Sequence, residues 1–248
     1  MHFVDAKGIL SARNGMNIYR GCTHGCIYCD SRSRCYGFTH PFEDIEVKRN
    51  APALLEQKLR SKRKKCMIGT GAMCDPYLHC EEELRLTRAC LEIIDRYGFG
   101  VSVLTKSDRI LRDLDLLGSI QDKSKAVAQM TPLLPFINDT KENLEGILEG
   151  CLEAGVKGIL CFGMGLTLRE GNREYFYQAL DRHFPGLRRE YQRRYGNAYE
   201  LPSPRHRELQ QIFDDTCAKA GILYRPEDIF AYLREFPENK GYTQLSLF

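Results

Sequence analysis

Short apolar runs alternate with amphipathic helical patterns from Asn17 to about His183, and that rhythm restricts the chain to a parallel α/β architecture. Helical spacing is expected over about 52–64, with Leu54, Leu55 and Leu59 on one face, and over about 82–97, with Leu84, Thr87, Leu91 and Ile94. A further helix carries Ile110, Leu111, Leu114 and Leu117, and two more span about 141–154 and 172–183. Strands are expected at 66–69, 101–104, 126–130 and 158–162, with 17–19 leading into a cysteine-rich loop. Parallel neighbours need a crossover of a dozen or more residues, and none fits between Met130 and Leu133. The stretch 126–136 therefore counts as one strand with its loop, giving about five βα units. In such folds function gathers on loops at the carboxyl ends of strands. The cysteine loop, 71–77, 105–107 and 162–166 all fall at those ends.

Beyond Pro185 the pattern changes. Arg188, Arg189, Arg193 and Arg194 mark a basic helix ending near Gly196, for which a solvated face is the simpler reading than a nucleic-acid surface. Ser203-Pro204 offers an N-cap and a first-turn proline for a helix with Leu209, Ile212, Phe213 and Cys217 on one face. A last short helix near Pro226 is expected to bury Ile229, Phe230 and Leu233. The expected division is 1–185 for the α/β domain, 186–238 for a helical extension packed on it, and 239–248 for a tail. With 248 residues, 43% of them hydrophobic, the chain can fill one large core. No stretch has the length and apolarity of a membrane span, and no signal peptide is expected at the first residues. Eleven cysteines, an odd number without a disulfide-like framework, point to a reducing, cytoplasmic setting. A net charge of +3 does not by itself imply nucleic acid.

The most informative segment chemically is Cys22-Thr23-His24-Gly25-Cys26-Ile27-Tyr28-Cys29. Three thiolates spaced C-x3-C-x2-C can hold three irons of a [4Fe–4S] cluster and leave the fourth iron open to a ligand, whereas electron-transfer ferredoxins close the cluster with four cysteines. The alternative is a structural zinc site using His24 or Cys35 as fourth ligand. No second C-x2-C hairpin accompanies it, and the spacing from Cys29 to Cys35 fits no common zinc pattern, so iron–sulfur is favoured.

This motif, with an aromatic residue before its third cysteine, resembles that of radical S-adenosylmethionine (SAM) enzymes. The surrounding Asn17-Ile18-Tyr19-Arg20-Gly21-Cys22 and His24-Gly25-Cys26 resemble the spore-photoproduct-lyase-like, DNA-repair-photolyase-like branch. So do Gly71-Ala72-Met73-Cys74-Asp75-Pro76-Tyr77, Leu104-Thr105-Lys106-Ser107, Arg112-Asp113-Leu114-Asp115-Leu116-Leu117 and Leu134-Pro135-Phe136-Ile137-Asn138-Asp139. The resemblance implies a partial, open TIM-type barrel of about five to six parallel βα units with a C-terminal helical extension. It implies a [4Fe–4S] cluster on Cys22, Cys26 and Cys29 whose open iron chelates SAM. One electron then yields a 5′-deoxyadenosyl radical that abstracts hydrogen from a substrate, with a reductant such as flavodoxin or ferredoxin. Tyr28 would lie beside the adenine, Lys106 would pair the methionine carboxylate, Asp75 would accept from the SAM ammonium, and Ser107 would belong to the same cofactor site. Gly163 and Gly165 would admit backbone close to the adenine. Each has a plainer alternative: a packed aromatic, a solvated lysine, a turn-forming aspartate before Pro76, and ordinary loop glycines. Arg112 and Asp113 read as a structural pair.

Three departures bear on the target. The hydrogen-returning cysteine of spore photoproduct lyases aligns with Ala72; Cys74, two residues on, is the candidate replacement, although a small buried thiol is the commoner role. Asp30 stands where that enzyme has Tyr. The count of about five βα units, where barrels of this kind usually have six, implies the loss of one unit near Thr131. Thymine-dimer reversal is therefore not expected. Gln244, Leu245, Ser246, Leu247 and Phe248 match a bacterial sliding-clamp-binding pentapeptide, with Leu245, Leu247 and Phe248 as apolar anchors. The leading expectation is a radical SAM enzyme acting on DNA or a DNA-bound target. The rivals are radical SAM modification of protein or RNA, and an inactive iron–sulfur binding protein that has lost a βα unit.

Overall fold

The computed structural model describes residues 1–129 and 133–236. These form two compact units, each discontinuous in sequence and neither ending at residue 185. One comprises 2–20 and 46–129 with 231–236, the other 21–45 with 133–230.

The first unit is built on β1 (His2–Val4), β2 (Gly15–Met16), β3 (Tyr19–Arg20), β4 (Glu46–Lys48), α1 (Ala51–Ser61), β5 (Met67–Thr70), α2 (Glu81–Leu84), α3 (Leu86–Arg96), β6 (Gly100–Leu104), α4 (Leu114–Lys123) and β7 (Ala126–Gln129). Strands β2, β5, β6 and β7 pair in that order as a four-stranded parallel sheet. A second sheet sets β4 parallel to β1 and antiparallel to β3. Pro52 lies in the first turn of α1, where its missing N–H costs no hydrogen bond. Leu55 and Leu59 of α1, and Thr87, Leu91 and Ile94 of α3, are buried as their spacing requires. Ile68, Val101 and Val103 fill the sheet side of this core, each such side chain contributing about 1.5–3 kcal/mol by leaving water. Residues 108–113 are a 3-10 turn rather than the start of α4, which leaves Leu111 and Leu114 exposed.

The helix expected over 82–97 is broken at Arg85, whose φ is 49°. The reason lies in Glu81. Its fully buried carboxylate accepts from the Thr87 N–H at 2.8 Å, satisfying an orphan donor in the first turn of α3, and also from the Tyr19 hydroxyl. Arg112 closes the arrangement, 3.1 Å from Glu81 and 2.9 Å from the equally buried Asp113. Arg88 reaches Asp113 at 2.9 Å and Asp115 at 2.7 Å, and the Tyr77 hydroxyl donates to Asp113 at 3.0 Å. Burial alone would raise the Asp113 carboxyl, but hydrogen bonds from Arg112 and Arg88 hold it below its ordinary value. A depressed carboxyl stabilises the fold above its unfolded-state pKa of about 3.9 and stops doing so as the pH falls through the folded value. Acid unfolding is thus expected to begin below about pH 4. Arg112→Met should cost about 3–5 kcal/mol in urea titration at neutral pH, because two buried carboxylates lose a cation. A variant as stable as the parent would show that the pairs carry no weight.

The second unit contains α5 (Lys141–Glu153), β8 (Gly165–Thr167), α6 (Asn172–His183), α7 (Leu187–Tyr195), β9 (Glu200–Pro202), α8 (His206–Ala220) and the start of α9 (Pro226–Arg234). Thr140 caps α5 by accepting from the Asn143 N–H, and Gly221 ends α8 in the left-handed region. One core layer joins Leu134, Leu166, Phe176, Leu180, Tyr191 and Leu201; another joins Leu144, Leu148, Met164, Leu209, Phe213 and Cys217. Helices α7 and α8 therefore share cores with residues 133–183.

The strand expected at 158–162 does not form. Among the described residues only Gly158 makes a bridge, to Leu223, with the Ile159 N–H donating to the Leu223 carbonyl at 2.8 Å. Ile159 and Cys161 pack on the core around α8, whereas Phe162 is 80% exposed. Gly163, at φ 124°, interrupts any extended run. The extended segment starts later, as β8, and pairs antiparallel with β9. Gly165 and Leu166 are thus strand residues, not part of a loop at a strand's carboxyl end. Phe230, expected in the core, is 36% exposed, while Ile229 is buried. The joint placed near Thr131 lies outside the described residues, as does the pentapeptide 244–248. Among the described residues no helix is long and apolar enough to cross a membrane.

Candidate functional site

The cysteine loop belongs to the second unit. Gly21 opens it at φ 90°, and a Cβ there would lie 2.6 Å from the Phe42 carbonyl oxygen, so only glycine fits. The next residue, Cys22, donates its N–H to that same carbonyl at 2.9 Å. Gly25 turns the chain again at φ 70°. The Cys29 N–H then donates to the Cys26 carbonyl, and the Arg32 N–H to the Cys29 carbonyl, each at 3.2 Å. Cys22 is buried, and Cys26 and Cys29 are half-buried. The loop thus carries three soft sulfur donors, with His24 among them, a set suited to an iron–sulfur core or to zinc. Asp30 accepts from Ser33 and Tyr36, each at 3.1 Å, which stiffens the exit from the loop. Tyr28 packs against the core layer of Phe176 and Tyr191.

Gly163 and Gly165 lie in the same unit. A Cβ on Gly165 would fall 2.4 Å from the Leu201 carbonyl oxygen, so the pairing of β8 with β9 already accounts for that glycine. Gly163 is exposed, and its N–H donates to the Cys161 sulfur at 3.4 Å.

Cys74, Asp75, Lys106 and Ser107 lie in the first unit, after β5 and β6. Gly71, at φ 95°, brings the end of β5 so close to β6 that a Cβ would sit 1.9 Å from the Leu104 carbonyl oxygen. Asp75, 8% exposed, joins the two loops. One carboxylate oxygen accepts from the Tyr77 N–H at 2.9 Å and the Thr105 hydroxyl at 2.7 Å; the other accepts from the Lys106 N–H at 2.7 Å. Three protein donors therefore meet the carboxylate expected to receive an ammonium. The Cys74 thiol donates to the Asp75 carbonyl at 3.5 Å and is buried. Ser107 is buried too, and its hydroxyl accepts from the Arg109 N–H at 3.3 Å, starting the 3-10 turn. The Lys106 side chain is exposed. In the sequence Gly71 and Thr105 stand inside matched segments without a role of their own; the structure gives Gly71 the close approach to β6 and Thr105 a hydrogen bond to Asp75.

The chain matches no protein-family profile and no solved structure. It is 28% identical over 254 residues to an uncharacterized protein of Mycobacterium tuberculosis (strain ATCC 25618 / H37Rv), a match covering 81% of this chain and 72% of that one. An uncharacterized protein of Mycobacterium bovis (strain ATCC BAA-935 / AF2122/97) matches to the same extent. An uncharacterized protein of Methanocaldococcus jannaschii is 36% identical over 115 residues, covering 46% of this chain and 42% of that one. Since 81% of 248 residues is about 201, a match running over 254 positions sets about fifty residues of each mycobacterial protein against gaps in this chain.

Proposed function

We propose that this protein is a radical SAM enzyme whose [4Fe–4S] cluster, when bound, supplies an open iron for SAM and the electron that releases a 5′-deoxyadenosyl radical for hydrogen abstraction from a substrate. The observation that carries this reading is three cysteines on a loop shaped by Gly21 and Gly25, with no other residue type at the C-x3-C-x2-C positions. Cys22, Cys26 and Cys29 would hold the cluster, and Tyr28, fixed by core packing, would wall the adenine. The Asp75 node holds the Lys106 backbone, so that the Lys106 ammonium, on an exposed side chain, can meet a carboxylate. Asp75 then acts as a positioning residue rather than as a direct SAM ligand. The four-stranded parallel sheet fits part of an open TIM-type barrel.

The test is anaerobic loading with iron and sulfide, reduction, and chromatography for 5′-deoxyadenosine from SAM. Slow formation without substrate is expected, and Lys106→Ala should weaken SAM binding about tenfold. A loaded, reduced protein that releases none would favour a second reading, an inactive iron–sulfur binding protein. One observation supports that alternative: the fifty or so residues set against gaps here would suffice for a βα unit of roughly 30 residues or more. For the target we propose a DNA-associated substrate, with residues 244–248 as a sliding-clamp anchor. Titrating the full chain and its Leu247→Ala/Phe248→Ala variant against a bacterial clamp tests this. Binding lost in the variant is expected, and no binding by the parent would remove the DNA assignment.

A further inference from the structure

Directly after the cysteine loop, the second unit holds a cavity of about 350 Å³ that the proposed chemistry does not use. Its walls include Arg32, Arg34, Phe38, Phe42, Gly171 and Tyr175. Arg32 is the unusual member. Its side chain is nine-tenths buried, with the guanidinium carbon 4.0 Å from the Tyr175 ring centre and 4.4 Å from that of Phe42. Two aromatic faces thus fix the plane of a cation. One edge pairs with Glu43 at 2.5 Å, but the buried Nε has no hydrogen-bond partner among the described residues. A charged donor left unpaired in a protein interior calls for an explanation; a ligand phosphate that draws the guanidinium toward the cavity would expose this Nε and supply its acceptor.

The second cation, Arg34, is 73% exposed and pairs with Glu170, which is 69% exposed. So exposed a pair is weak, and a ligand of higher charge can displace the carboxylate. Glu43 and Glu170 are not among the residues that line the cavity, whose charged lining is cationic. Gly171 keeps the start of α6 close to this loop: at φ 94°, a Cβ would come within 3.0 Å of the Arg34 nitrogen and 3.2 Å of the Arg32 oxygen. The Phe38 ring meets Phe42 edge-on at 5.0 Å, so the wall beside the cations is aromatic. Guanidinium groups beside aromatic rings match a phosphate joined to a planar base.

We infer that this cavity binds one nucleotide unit, its phosphate on Arg32 and Arg34 and its base against the Phe38, Phe42 and Tyr175 wall. The inference rests on the proposed enzyme only in making that nucleotide part of the substrate; binding itself needs no cluster. The unit can come from a free nucleotide or from a single strand, and the two are separable.

The experiment is calorimetric titration of the full chain at low salt with deoxycytidine 5′-monophosphate, inorganic phosphate, deoxycytidine and a four-residue oligodeoxycytidylate. A pyrimidine avoids competition for any adenine pocket. The nucleotide is expected to bind at least about tenfold more tightly than phosphate or the nucleoside alone. Arg34→Gln, at an exposed position, and Arg32→Lys, which removes Nε, should each weaken it about tenfold or more. An oligomer tighter than the monomer assigns a strand, and equal affinities assign a free nucleotide; both support the site. Silence of monomer and oligomer alike, phosphate binding as tightly as the nucleotide, or indifference to both substitutions would overturn it. Cluster content and SAM cleavage are measured separately, so loss of this site leaves the enzyme reading standing, and the reverse holds.

Discussion

Replacing Cys22, Cys26 or Cys29 singly by alanine is expected to remove bound iron and sulfide almost completely, by about tenfold or more after anaerobic reconstitution. Each thiolate would hold one iron of a cluster that has only three protein ligands, so no spare donor can take over. Backbone contacts help to hold the loop around them. The Cys22 N–H meets the Phe42 carbonyl, and the Cys29 N–H meets the Cys26 carbonyl. Alanine at these positions should therefore leave the fold intact, which circular dichroism and urea titration would check. Cys35→Ala supplies the contrast. Cys35 is exposed, and its sulfur accepts from Arg169 at 3.7 Å. Iron retained in that variant would exclude Cys35 as a fourth ligand. Full zinc occupancy without iron, or iron unchanged in the triple alanine variant, would defeat the cluster assignment.

Gly71→Ala is expected to destabilise the protein by about 3 kcal/mol or more, a magnitude reserved for a few named mechanisms. Here two of them act together. The φ of 95° is a conformation that residues with a Cβ rarely adopt, and the added Cβ would lie 1.9 Å from the Leu104 carbonyl oxygen. That oxygen is main-chain, at the end of β6, and cannot swing aside. Relief requires β5 and β6 to separate at the turn that carries Cys74 and Asp75. Gly25→Ala isolates the backbone term, because φ is 70° and no atom lies within 4 Å of the added Cβ. It should cost about 1–2 kcal/mol. Equal losses in urea titration of the two metal-free variants would mean that the close approach at Gly71 is absent.

The spacing of apolar residues made several elements legible in advance. Helix α6 spans Asn172–His183 as expected, and the Leu55–Leu59 and Thr87–Leu91–Ile94 faces are buried. Periodicity is local, and a helix supplies its own backbone partners, so a single segment carries the whole signal. The same holds for the cysteine loop, where eight consecutive residues present three thiols. Strand 158–162 failed for the complementary reason. An apolar run becomes a strand only if a neighbour offers its N–H and C=O groups, and here Leu223 offers a single bridge while β9 recruits 165–167 instead.

By itself, the sequence determined the donor types, the main helices and the parallel β5–β6–β7 run. Tertiary structure alone decided what the charged groups do. The Glu81 carboxylate breaks a helix at Arg85 to cap α3, Asp75 is taken by Tyr77, Thr105 and Lys106, and Arg32 is clamped between Phe42 and Tyr175. A carboxylate or guanidinium withdrawn from water must find partners wherever the fold brings them. Those partners lie 10 to 143 residues away for Arg32 and 30 to 31 for the Asp75 contacts that join the two loops, beyond the reach of any local pattern.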